Sequence, residues 1–180
     1  VNDGPYRKIV YDGREVPYIF NFYPHSIEVT SHSKDLAIPG ERIGHIAVHP
    51  EADAVRDVID GMTFTNRTLG YVNAPALMQR TVCELLDETV DVAEYQRKRD
   101  FLFEKLCEMG YNLVKPEGAF YMFPRTPIED DVRFVKELQK RLVLVVPGRG
   151  FGSPGHFRIS YCVPFEVIER SIPAFDEVAQ

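Results

Sequence analysis

The chain has 180 residues, 44% of them hydrophobic and 12% aromatic, enough apolar side chain to bury a core in one domain or two small ones. A formal net charge of -6, from 21 basic and 27 acidic residues spread along the chain, offers no basic tract to hold nucleic acid or an anionic membrane surface, and favours small-molecule chemistry. No apolar run approaches the roughly 18 residues that span a bilayer, and the scattered cysteines Cys83, Cys107 and Cys162 predict buried thiols in a reducing cytoplasm, not a disulfide framework.

Val1 is not a methionine, and "VNDGPY" reads as the tail of a strand running into a Gly4-Pro5 turn, as expected of a piece of something longer. Short pieces over 6–11 and 18–22 follow. "SIEVTSHS", 26–33, alternates like a half-buried strand and delivers Lys34 at its end; "RIGHIAVHP", 42–50, has the β-branched density of another strand. From 75 to 109 the spacing is helical, with Leu77, Met78, Val82, Leu85 and Leu86, then Tyr95, Phe101, Leu102 and Leu106 before a Gly110 stop. An α+β block closes the chain: strands "YNLVKP" and "AFYMFP", a helix from about Asp130 to Lys140, strands "LVLVVP" and "HFRISYCV", and a helix from about Phe165 to Val178. "GRGFG", 148–152, lacks the full dinucleotide fingerprint and reads as a tight connection between strands.

A lysine amine attacks a carbonyl only when deprotonated, so a reactive lysine needs surroundings that disfavour its charge. Lys34 closes a strand, with the hydroxyls of Ser31 and Ser33 beside it and the planar fork of Arg42 eight residues on, a grouping suited to a phosphate. The histidines at 25, 32, 45, 49 and 156 have no paired helical spacing, so no metal site is expected, and strand alternation would turn His32 away from Ser31 and Ser33. Phe120 and Tyr121 read as core or pocket lining.

Taken together, Ser31, Ser33, Lys34, Gly40, Arg42 and Gly44 resemble the lysine motif of the fold-type I pyridoxal-phosphate (PLP) enzymes, specifically the class I/II aminotransferases related to aspartate aminotransferase. "NDGPYRKIVYDG" is similar to the family's Asp-x-x-Tyr segment, and "PEGAFYMFP" and "VVPGRGFGSPGHFRISYCVP" to its small-domain signatures. The resemblance implies that Lys34 forms a Schiff base with PLP and shuttles a proton, that Asp3 faces the ring nitrogen and Tyr6 the phenolic oxygen, that Ser31 and Arg42 hold the phosphate, and that Arg158 grips the substrate α-carboxylate. A carboxylate at the ring nitrogen keeps it protonated and strengthens the ring as an electron sink.

It further implies an α/β fold, namely the C-terminal part of the PLP-binding large domain (1–75), linking helices (76–109) and a small C-terminal α+β domain (110–180). The reaction implied is amino transfer from an α-amino acid to a 2-oxo acid, in a homodimer. The family's phosphate turn, ring-stacking aromatic and Asn-Pro-x-x-Pro-Thr-Gly segment do not occur in these residues, so the resemblance is to the second part of such an enzyme. A C–S β-lyase of the same fold shares these motifs, and a non-catalytic domain is the alternative from another class.

Overall fold

The computed structural model describes residues 1–179. They divide into two compact units, 1–90 and 91 onward.

In the first unit, β1 (Asn2–Asp3), β2 (Ile27–Ser31) and β3 (Gly44–Val48) form a sheet in the order β1-β2-β3. β1 runs parallel to β2 with Asp3 opposite Val29, and β3 runs antiparallel with Gly44 opposite Ser31. Paired residues share a face, so Val29, Ser31, Gly44 and Ile46 lie on one side, and Glu28, Thr30, His45 and Ala47 on the other. The expected strand over 26–33 is shorter than its alternation suggested, because at His32 the backbone turns helical to form α1 (His32–Asp35). Helix α2 (Val55–Thr68) carries Val55, Val58, Ile59 and Met62 at helical spacing; Gly61 and three threonines weaken that signal. Helix α3 (Ala76–Glu84) follows, and the chain returns to α1 as Val90 N donates to the Asp35 carbonyl at 2.8 Å. The Arg7–Glu28 ion pair, with both side chains largely buried, ties the turn after β1 to β2.

In the second unit, α4 (Val92–Glu108) starts at Asp91, whose carboxylate accepts from Glu94 N, and stops at Gly110, where φ is +85°. β4 (Tyr121–Met122), α5 (Asp131–Lys140), β5 (Val146–Pro147), β6 (Phe157–Ser160) and α6 (Phe165–Ala179) follow, with sheet order β4-β6-β5 and both pairings antiparallel. The core is an aromatic cluster of Tyr111, Phe134, Phe157 and Phe175, joined by Leu102, Leu106, Leu138 and Ile159. "GRGFG" is the tight connection expected, a 3-10 turn (Gly148–Phe151) between β5 and β6.

Three further expectations are corrected. "YNLVKP" forms no strand, since its backbone groups go elsewhere: Tyr111 N donates to the Leu106 carbonyl, the Asn112 carbonyl accepts from Arg125 N, and the Pro116 carbonyl accepts from Arg99. In "LVLVVP" only Val146 and Pro147 are paired, while Leu142 and Leu144 are exposed. The cysteines are free and exposed, not buried; apolar neighbours in sequence occupy other faces of a helix, so they do not bury Cys83 or Cys107. No helix among the described residues is long and apolar enough to cross a membrane.

Candidate active site

Because β1 and β2 are parallel and β3 begins where β2 ends, Asp3, Tyr6, Ser31, Lys34 and Arg42 all leave the sheet at one end. The carboxyl end of parallel strands is where α/β sheets place their ligands. Asp3 is the last residue of β1 and is exposed; it makes no ion pair among the described residues. The chain then turns, with Ile9 N donating to the Tyr6 carbonyl at 2.8 Å; Tyr6 is half-buried and Ile9 fully buried. Ser31 ends β2 on the face of Val29, the partner of Asp3.

Lys34 does not end a strand; it sits on the single turn of α1. That turn is fixed by the residues flanking it. His32 and Asp35 are both buried, with His32 Nδ1 3.2 Å from Asp35 Oδ2. Asp35 Oδ1 also accepts from Leu36 N at 2.9 Å, and its carbonyl accepts from Val90 N and from Thr89 Oγ1 at 3.1 Å. Two inward side chains at i and i+3 define the buried face of the turn and leave Ser33 and Lys34 half-buried on the other. Strand alternation therefore does not set the direction of His32, whose backbone is already helical. Its ring centroid lies 5.8 Å from that of His45, whose pKa is lowered, first by burial and then by the neighbouring His32.

Arg42 follows a 3-10 turn (Pro39–Glu41) in a left-handed conformation, φ 51° and ψ 48°, and one of its N–H groups donates to the Pro39 carbonyl at 2.6 Å. The remaining donors of its exposed fork are directed to no ion pair among the described residues. Gly44 has a clear steric role: a Cβ there would overlap the Thr30 carbonyl oxygen and lie 2.9 Å from Ser31 Cα. The small residue lets β3 close onto β2 next to Ser31.

Arg158 belongs to the second unit. On β6 its neighbours Phe157 and Ile159 point into the core, which turns Arg158 outward and half-buried. Its Cζ lies 4.5 Å from the Tyr121 ring centroid and 4.2 Å from that of Phe151. Nearby, buried Asp131 accepts from Arg149 Nε at 2.7 Å and Arg149 N at 2.8 Å, and this hydrogen bonding holds its carboxyl below the usual range. The His32–Asp35 pair and the aromatic neighbours of Arg158 escaped the sequence reading. A His-x-x-Asp spacing was the available signal for the first; the second depends on cross-strand register.

Residues 3–175 match the family model described as aminotransferase class I and II. The chain belongs to that family. An amino transferase from Eubacterium rectale is 41% identical, with a TM-score of 0.92 over 98% of this chain and 44% of that one. An aspartate aminotransferase from Thermus thermophilus, 30% identical, superposes with a TM-score of 0.85 over 98% of this chain and 47% of that one. Among curated relatives, aromatic-amino-acid aminotransferase 2 of Thermococcus litoralis is 32% identical across 99% of this chain and 48% of its own length. A probable aspartate aminotransferase of Methanocaldococcus jannaschii is 31% identical across 99% and 49%. The chain thus spans about half the length of the curated relatives it matches.

For a class I/II aminotransferase the donor set at the sheet end has fitting chemistry. It combines a carboxylate without a counter-ion, a phenol, an amine, a hydroxyl and a guanidinium. Those groups could hold a pyridinium nitrogen, a phenolate oxygen, an aldehyde and a phosphate respectively, the last shared by hydroxyl and guanidinium.

Proposed function

We propose that this chain supplies the lysine-bearing and carboxylate-binding part of a PLP-dependent aminotransferase that moves an amino group from an α-amino acid to a 2-oxo acid. When bound, PLP supplies the electron sink that makes the substrate Cα–H acidic. Lys34 Nζ is the group that carries the cofactor and takes the proton from Cα. Asp3 keeps a proton on the ring nitrogen, and the Tyr6 hydroxyl donates to the phenolic oxygen. Ser31 and Arg42 bind the phosphate, and Arg158 takes the α-carboxylate in a two-point grip that orients the Cα–H bond. The homodimer and the cytoplasm are the setting we assign, three free, exposed thiols being suited to a reducing compartment.

The observation that carries the reading is the placement of Lys34 on a turn braced by His32 and Asp35, at the sheet end where Asp3 and Ser31 also terminate their strands. Intact mass after incubation with PLP and borohydride reduction, beside an assay of amino transfer, tests it. One adduct should form on this chain and should vanish in Lys34→Ala, and the same substitution in the enzyme that carries this chain should abolish transfer. An adduct that persists in that variant places the chemistry on another amine.

A further inference from the structure

In the second unit Arg97, Arg99, Arg141 and Arg149 each pair with a carboxylate, and the exposed Arg125, Arg133 and Arg170 make no ion pair among the described residues; Arg158 makes none either, although it is half-buried. Its company is aromatic. A cation–π contact attracts a guanidinium without consuming its N–H donors, while a carboxylate partner would occupy the in-plane fork. Tyr121 lies opposite Ser160 across β4 and β6, on the same face as Arg158, and abuts Phe120 with ring centroids 4.9 Å apart. Phe151 ends the 3-10 turn that Asp131 fastens through Arg149, and meets Phe123 edge-on at 6.1 Å; Phe123 in turn stacks on His156 at 5.4 Å. Both rings are thus held by their own neighbours.

The geometry points to Tyr121 and Phe151 as positioning residues, an aromatic clamp that holds Arg158 where a counter-ion otherwise would and leaves its fork open to the substrate α-carboxylate. This rests on the reading of Arg158 as carboxylate anchor. The clamp fixes the direction of the fork without neutralising it, so an incoming carboxylate displaces no protein anion.

The test uses the full chain with 15N-labelled arginine. Side-chain relaxation of Arg158 Nε, assigned by its loss in Arg158→Gln, should give an order parameter clearly above those of exposed Arg56 and Arg67, which should lie below about 0.6. Phe151→Leu or Tyr121→Leu should mobilise Arg158, and Tyr121→Phe, which keeps the ring, should not. Acetate, followed through backbone amides of β6, should bind about two- to five-fold more weakly to the two leucine variants. An Arg158 as mobile as Arg56 in the parent, or rigid and unchanged in its acetate affinity in both leucine variants, overturns the clamp. An acetate response absent from the parent, or untouched by Arg158→Gln, overturns the anchor reading instead.

Discussion

Replacing Gly44 by alanine probes the junction between sheet and candidate site. Gly44 lies directly opposite Ser31, and an added Cβ would overlap the Thr30 carbonyl oxygen and approach Ser31 Cα to 2.9 Å and Ser31 Cβ to 3.1 Å. A carbon–oxygen contact normally sits at about 3.3 Å or more, so the strands must part locally. The obstacle is mainly backbone, which cannot rotate aside as a long side chain would. Overpacking of this kind costs about 1–3 kcal/mol, which lowers a urea midpoint by about 1 M for a small unit. The movement falls on Ser31 and on the start of α1, so PLP incorporation at Lys34 should also slow. Gly40→Ala is the control: a Cβ added there meets no atom within 4 Å and its φ is not positive, so the effect should stay within about 0.5 kcal/mol. Urea unfolding and borohydride-trapped adduct yield, measured on both variants, decide the matter. Equal midpoints for the two would refute the argument that close approach at Gly44 sets the spacing of β2 and β3.

Tyr111→Phe removes the buried hydrogen bond from the Tyr111 hydroxyl to the Phe175 carbonyl, 2.9 Å long, and should destabilise the second unit by about 1–2 kcal/mol in urea unfolding. Asp131, held below its ordinary 3.8 chiefly by the Arg149 hydrogen bond, contributes stability that is complete above that value and is lost as pH falls through the lower folded one. Asp131→Asn should therefore be less stable than the parent near neutrality and show a shallower loss below about pH 4 in acid unfolding. His45 has a folded pKa below its ordinary 6.5, through burial and His32, opposed by Glu28 and Asp35. The unfolded chain protonates first as pH falls, so the contribution of His45 is complete above 6.5 and fades below it, and His45→Gln should flatten the stability profile between about pH 7 and 5.

Local signals carried the helices of the second unit. Helix α4 shows its apolar face in Leu102 and Leu106 and its stop in Gly110, and α5 opens on Asp130, whose carboxylate caps Val132 N and Arg133 N. Such features involve residues within one or two turns, so sequence spacing contains them. The lysine motif was legible for the same reason, since Ser31 to Gly44 is a short contiguous stretch.

Long-range partnership was not legible. Whether an apolar stretch becomes a strand depends on a partner elsewhere, so "LVLVVP" pairs at only two residues while "YNLVKP" gives its polar groups to Arg99, Arg125 and the end of α6. The sequence by itself determined the family, the helices of the second unit and the residue types at the candidate site. Only the tertiary structure decided that Lys34 rides a helical turn braced by buried His32 and Asp35, that Gly44 must be small because the Thr30 backbone abuts it, and that Arg158 is held by rings in place of a carboxylate. Each of these is a contact between residues on different elements, or a change of backbone geometry at a strand end, and side-chain pattern along the chain does not encode the first and only hints at the second, through the His-x-x-Asp spacing.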